Sequence, residues 1–314
     1  MNKREVMVSK MMNEAFADDW YTDFATTHPD YFQYQLNVLS CYTHINWNER
    51  YQNFLDGTTN FIDEYAFFRK RCEIMENVAI AATEVNRVAQ AGMSLQTRPR
   101  ISIKKKMNDE KEYASIFLRD SLFYGIKRFI PGAISGEYDC WEKFVSQYTH
   151  DKHLIESDAL RNVFLDHISW PSCSVEEAFM DYVAGEIEER IPSIAGKTIM
   201  YFGREILIPL DDFGFGLSAL EDAVREIGGV PAEEFQISTF RLRLIEGRHA
   251  DWWIREVYKG ADAKPEIEHV DTEYILQVLK YWHCDRVESR DLVYENCYGE
   301  LSNFLKPMEN PFTY

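Results

Sequence analysis

The twenty residues that decide the fold are 191–210, which read IPSIAGKTIMYFGREILIPL. Two short apolar runs, residues 198–202 and 205–210, are separated there by Gly203-Arg204. Short runs rich in Ile and Leu that meet at a glycine are typical of a tight β-hairpin. The sequence therefore predicts two paired strands immediately after Pro192.

The next fifty residues or so continue this pattern with a helix and a further strand. Residues 217–227 place apolar side chains at helical spacing and stop at Gly228-Gly229, as a glycine-capped helix does. Residues 237–244 alternate between polar and apolar side chains, which predicts a half-buried strand. The order strand, strand, helix, strand resembles a β-grasp unit, and residues 227–235 look like the turn that leaves the helix of ubiquitin. This resemblance implies a small α+β domain and no particular activity.

Before Pro192 the apolar residues recur at steps of three and four, which indicates amphipathic helices. The predicted helical segments are residues 7–24, a helix starting near Pro29, and residues 49–90, 114–129, 141–145, 159–170 and 175–191. Two more helices are predicted in the tail, at residues 272–285 and 292–304. We therefore expect a mainly α protein, with a multi-helix bundle over residues 1–192 and a small, β-grasp-like α+β domain with C-terminal helices over residues 193–314.

Composition favours a folded, cytoplasmic protein. Of the residues, 46% are hydrophobic and 14% are aromatic, enough to form large cores. No segment approaches the roughly 20 consecutive apolar residues that cross a bilayer, and the charged start lacks the apolar run of a leader peptide. We expect a soluble protein with no membrane partner.

The cysteines give no sign of a metal or redox centre. The chain has six, widely spaced and without a C-x-x-C pair: Cys41, Cys72, Cys140, Cys173, Cys284 and Cys297. Such thiols are usually free and buried. The chain also lacks a phosphate-binding loop and a dinucleotide fingerprint. We therefore expect no metal and no cofactor.

Negative charge is concentrated in one fifth of the chain. The net charge is −18, and residues 172–235 hold fourteen acidic against four basic residues, a local charge of −10. A focused acidic surface repels nucleic acid and attracts basic proteins. Tryptophans beside arginines are also frequent interface anchors. The residues predicted to bind a partner are Glu186, Glu188, Glu189, Asp211, Asp212, Trp252 and Trp253.

These features favour a binding protein over an enzyme. We expect a non-catalytic module that captures a basic protein, in the manner of an antidote or immunity protein of a toxin–antitoxin pair that blocks a basic toxin or nuclease. A structural or scaffold protein is an alternative that the sequence does not separate from the first. The sequence also leaves the oligomeric state open.

A second alternative rests on residues 161–167, which read RNVFLDH. Their arginine and histidine resemble the active-site motif of the HEPN ribonucleases. The resemblance implies that His167 serves as acid or base on a ribose 2′-hydroxyl and that Arg161 holds the scissile phosphate. In a straight helix these two side chains lie about 240° apart, so the site would need a dimer or a bent helix. Nucleic acid is an expected partner only under this alternative.

Overall fold

The computed structural model describes most of the middle of the chain and parts of both ends. The described residues are 6–8, 11, 32–33, 36–37, 40–41, 46–89, 111–168, 172–201, 204–210, 216–245, 252–258, 293–295 and 301–303. The chain divides into two compact units, one made of residues 1–68 and 241–314 and the other of residues 69–240. No helix in the described residues is long and apolar enough to span a membrane.

The described chain contains both helices and strands, so the fold is mixed α+β. The helices are α1 (Trp47–Thr58), α2 (Glu64–Ala89), α3 (Ser121–Phe129), α4 (Trp141–Ser146), α5 (Lys152–Ile155), α6 (Asp158–Asp166), α7 (Ser172–Arg190) and α8 (Leu217–Arg225). The strands are β1 (Glu112–Leu118), β2 (Ile199–Tyr201), β3 (Glu205–Pro209), β4 (Phe235–Ile245), β5 (Trp252–Tyr258), β6 (Val293–Glu295) and β7 (Leu301–Asn303).

The first unit has a small aromatic core. It contains the buried side chains Met11, Phe32, Leu36, Trp47, Phe54 and Phe67. Polar caps define its helices: the side chain of Asn46 accepts a hydrogen bond from the backbone N–H of Glu49 (3.2 Å) at the start of α1. The side chain of Asp63 accepts one from Ala66 (2.8 Å) at the start of α2. Strands β6 and β7 form an antiparallel pair, and β5 lies beside β4.

In the second unit the sheet order is β2-β3-β1-β4. Strand β3 is antiparallel to both neighbours, with Ala114 opposite Ile208 on one side and Ile199 opposite Leu207 on the other. Helices α2, α3, α7 and α8 contribute to one large core with this sheet. Its buried members include Ile74, Val78, Ile126, Val183, Ile187, Ile206, Leu220 and Val224.

The strand, strand, helix, strand series predicted directly after Pro192 is confirmed where the structure describes it. The hairpin is β2 and β3, the helix is α8, and the alternating segment is β4. Gly229 follows α8 with a φ of 88°, the left-handed conformation for which glycine is favoured. Before Pro192, α1, α2, α4, α6 and α7 agree with the predicted helices.

Two helix predictions are wrong. Residues 114–118 belong to strand β1 rather than to the predicted helix 114–129, of which only the part from Ser121 is helical. Residues 293–295 and 301–303 pair as strands rather than forming the helix 292–304. In both places a short apolar run fits either period, and pairing with another strand decides the outcome.

The boundary predicted at Pro192 lies inside the second unit. Strand β1, from the predicted helical half, occupies the middle of the sheet between β3 and β4. The helix predicted at residues 272–285 and most of the first predicted helices lie outside the described residues. The β-grasp likeness stays a prediction.

Candidate functional site

Arg161, the most distinctive residue of the sequence, is buried in α6 and fully engaged by acceptors. Its Nε and one terminal nitrogen donate to the two carboxylate oxygens of Asp120, at 2.7 and 3.3 Å. The same terminal nitrogen donates to Glu142 (3.0 Å), and the other donates to the backbone carbonyl of Glu156 (3.1 Å). The Arg161 side chain is only 10% exposed. A phosphate would have to displace Asp120 to reach this guanidinium.

His167 lies in a different environment. It follows the last residue of α6 and is exposed, and its Nδ1 lies 2.8 Å from the carbonyl oxygen of Val163. Its backbone carbonyl accepts a hydrogen bond from the side chain of Asn86 on α2 (2.7 Å). The structure therefore gives Arg161 a buried position within α6 and His167 a surface position just after its end.

Around Arg161 the second unit brings together further polar side chains that the sequence analysis did not single out. Cys140 precedes the first residue of α4, Glu142 lies in the first turn of α4, and Glu234 ends a 3-10 turn just before β4. Their sulfur and carboxylate oxygen atoms all lie within 4.8 Å of one another, and all three side chains are partly buried. Ninety-two residues separate Glu142 from Glu234, so no local spacing indicates this cluster.

Two buried polar atoms of this region make no hydrogen bond. They are the hydroxyl of Tyr124 on α3 and the indole Nε1 of Trp141, which lies between Cys140 and Glu142 in the sequence. Tyr124 is 1% exposed and Trp141 is 2% exposed. Buried hydroxyl and N–H groups normally have a hydrogen-bond partner. In this region the described side chains leave these two donors without one.

The cluster shifts the pKa values of its members. Burial, together with the charges of Glu142, Asp120 and Glu233, raises the pKa of Glu234 to about 7, and the nearby Tyr124 hydroxyl opposes the shift. Burial and the charges of Glu142 and Glu234 raise the pKa of the Cys140 thiol despite a hydrogen bond from the backbone of Lys143. Burial and the same carboxylates also raise the pKa of Tyr124. The site therefore resists gaining further negative charge.

The predicted partner-binding residues fall partly on the described surface. Glu186, Glu188 and Glu189 lie in the last two turns of α7. Glu186 forms an ion pair with Arg190 (2.7 Å), and Glu188 accepts a hydrogen bond from the hydroxyl of Thr198. Glu189 is exposed.

The remaining predicted residues are less well defined. Asp211 and Asp212 lie outside the described residues, and of Trp252 and Trp253 the structure gives only their place in β5. They stay predictions.

A second group of acids lies on and just after α8, and it meets the end of α7. Arg190 binds Glu226 (3.1 Å) as well as Glu186, which joins the ends of the two helices. Arg225 binds Glu221 (3.8 Å) and Asp222 (2.7 Å). We call these six acids the acidic face: Glu186, Glu188, Glu189, Glu221, Asp222 and Glu226.

The described cysteines are more exposed than the sequence analysis predicts. Cys41 and Cys72 are exposed and Cys140 is partly buried, so the prediction of buried cysteines is wrong for the first two. Cys72 faces outward on α2, a helix whose opposite side supplies Ile74 and Val78 to the core.

Comparison with known proteins yields no match. No family model, no curated protein and no solved structure is significantly similar to the chain. Function is therefore argued from the geometry of the chain itself.

Proposed function

We propose that the protein works by binding a basic protein through the acidic face. The observation that carries this proposal is the double ion pair of Arg190, which joins Glu186 at the end of α7 to Glu226 after α8. This bridge brings Glu186 and Glu226, which are 40 residues apart in the sequence, together at the surface. The face holds six carboxylates against Arg190 and Arg225.

The exposure of these carboxylates supports the proposal. The side chains of Asp222 and Glu226 are 72% and 71% exposed, and that of Glu221 is 49% exposed. Ion pairs this exposed hold their partners weakly, so the acids can exchange an arginine of their own chain for one of another protein. The negative potential also accelerates encounter with a positively charged partner, and salt screens it over about 10 Å at 0.1 M.

The partner class follows from the same charge. Nucleases and other nucleic-acid-binding toxins carry the positive surface that such a face complements, so an antidote or immunity protein is the most specific form of the proposal. A scaffold that holds a basic subunit is a broader form. Neither form requires a catalytic residue.

Charge reversal tests the proposal. The variant Glu189→Lys/Glu221→Lys/Asp222→Lys inverts the face and leaves the Arg190 bridge intact. The matched control is Glu73→Lys/Glu76→Lys/Glu84→Lys, which makes the same charge change on exposed acids of α2. Both variants and the wild type serve as bait at low salt, and each captured protein is then purified and titrated by calorimetry.

We expect one basic protein to bind the wild type and the α2 control with equal affinity and to bind the inverted face at least tenfold more weakly. Its affinity for the wild type should fall steeply between about 0.05 and 0.3 M salt. A captured protein that binds the inverted face as tightly as the wild type, or binds without dependence on salt, would contradict the proposal.

The ribonuclease alternative stays a prediction. It requires Arg161 to give up the carboxylate of Asp120 before it can hold a phosphate. RNA cleavage that disappears in a folded His167→Ala variant would establish it in place of the binding role.

A further inference from the structure

We propose that Cys140, Glu142 and Glu234 bind one divalent metal ion of the zinc and cobalt class. Their ligand atoms lie within 4.8 Å of one another. Neighbouring ligands of a tetrahedral zinc ion lie about 3.5 Å apart, so small rotations of these side chains suffice to close the site. Three protein ligands leave the fourth position to a water molecule.

The unpartnered hydroxyl of Tyr124 is an independent sign of a ligand at this place. It is buried and has no hydrogen-bond partner in good geometry, although it lies beside the Glu234 carboxylate and close enough to Cys140 and Glu142 to feel their charges. Leaving a buried hydroxyl without a partner is costly. A metal-bound water among these side chains would exchange a hydrogen bond with it.

The charge of the cluster also favours a cation. Asp120, Glu142 and Glu234 are three carboxylates around one guanidinium, that of Arg161. A divalent ion offsets the excess negative charge and permits Cys140 to bind as a thiolate.

Arg161 has a positioning role in this site. Its Nη2 donates to one oxygen of Glu142 (3.0 Å), while Asp120 holds the guanidinium from the other side. Hydrogen bonds of this kind orient carboxylate ligands in metal sites. The distinctive arginine of the sequence thus fixes a ligand instead of contacting the ion.

The ligand set restricts the kind of metal. A thiolate favours zinc, cobalt or iron(II) over magnesium and calcium, which prefer oxygen ligands throughout. The ion would connect the start of α4 to the turn at residues 232–234, which leads directly into β4. The site is separate from the acidic face, so failure of one proposal leaves the other intact.

Cobalt(II) is the probe, because a cobalt–thiolate bond has a charge-transfer absorption in the near ultraviolet. We expect the purified wild-type chain to bind one equivalent of Co²⁺ with this absorption and to lose it on adding Zn²⁺. Cys72→Ser, which removes an exposed thiol of α2, should behave as the wild type. Cys140→Ser should lose the absorption, and Glu234→Gln should weaken binding by about tenfold or more.

A second measurement needs no substitution. Zn²⁺ should slow the alkylation of Cys140 in the wild-type chain and leave that of Cys72 unchanged, as read by peptide mass spectrometry. A wild type without the cobalt–thiolate absorption, an unchanged absorption in Cys140→Ser, or alkylation of Cys140 that Zn²⁺ does not slow would each overturn the proposal.

Discussion

Arg161 shows how a residue acquires its role from contacts that only the fold provides. Its carboxylate partners are 41 and 19 residues away along the chain, on the residue that precedes α3 and on α4. The sequence therefore singles out Arg161 but gives no reason to pair it with Asp120. His167, six residues later in the motif, is exposed, so it is accessible to a ligand from solvent while Arg161 is not.

Removing the Arg161 side chain should strongly destabilise the protein. Arg161→Ala leaves the buried Asp120 carboxylate without its cation, and breaking such a pair costs about 3–5 kcal/mol. Arg225→Ala is the control, since its ion pairs with Glu221 and Asp222 are exposed and worth about 0–1 kcal/mol each. Urea unfolding compares the two variants, and equal losses of unfolding free energy would show that the Arg161 pair is not buried in solution.

Glu176 on α7 should make stability depend on pH. It accepts a hydrogen bond from Ser121 (2.6 Å) and forms an ion pair with Arg204 (3.1 Å), yet burial outweighs these contacts and raises its pKa above the ordinary value of 4.5. The folded chain therefore binds this proton more tightly than the unfolded chain. The stability from the neutral carboxyl is fully present below about pH 4.5 and is lost as pH rises through the folded-state pKa.

Glu176→Gln keeps a neutral side chain at every pH, so the wild type should lose stability relative to this variant as pH rises above about 4.5. The measurement is the urea midpoint of both proteins across this range, with Glu189→Gln as the exposed control. A relative stability that changes in the opposite direction would refute the raised pKa.

At the scale of elements, strand β1 explains the largest error of the sequence interpretation. Residues 113–118 read YASIFL, and Tyr113, Ala114, Ile116 and Leu118 are all fully buried. A strand buried on both faces has no alternation of polar and apolar residues, so its pattern resembles a buried helix. The hairpin of β2 and β3 could be predicted because Gly203 marks its turn within the sequence itself.

The contact between α3 and α7 depends on a glycine. A Cβ atom at Gly125 would lie 3.0 Å from a methyl carbon of Val175, 3.1 Å from its carbonyl oxygen and 3.2 Å from the Cβ of Phe179. Alanine in a helix normally gains about 1 kcal/mol over glycine, but overpacking of this kind costs about 1–3 kcal/mol.

We therefore expect Gly125→Ala to lower the free energy of unfolding by about 0–2 kcal/mol. The control is Gly136→Ala, because a Cβ atom there meets nothing within 4 Å, and its effect should stay within about 0.5 kcal/mol. Thermal or urea unfolding measures the free energy of unfolding of both variants and the wild type. A stabilised Gly125→Ala variant would mean that α3 and α7 are further apart than described.

At the scale of the whole molecule, the sequence overstates how much negative charge is available. Of the fourteen acids in residues 172–235, several bind partners within the chain: Glu176, Glu186, Glu188, Glu205, Glu221, Asp222 and Glu226. Counting charges along the sequence reveals an excess of acidic residues but not where they lie on the surface. Ion pairs depend on which helices contact each other in the fold. Most of the acidic face belongs to this paired part of the excess, so a basic partner would have to compete with Arg190 and Arg225 for it.

The division of the chain into two compact units also depends on contacts between residues that are far apart in the sequence. The strand series predicted after Pro192 is present, yet strand β1, which precedes that point in the chain, pairs with β3. The sequence could locate the local elements after Pro192 but not the strand that connects them to the preceding half. The cluster of Cys140, Glu142 and Glu234 could not be predicted from the sequence for the same reason, because Glu234 is far from the other two along the chain.

Hydrogen–deuterium exchange of the complex with the captured basic protein would locate the surface that binds the partner. We expect slower exchange at residues 186–190 and 217–226 on binding, with α2 unchanged, if the partner contacts the acidic face as proposed. Protection confined to other segments, with those two unchanged, would contradict the proposal.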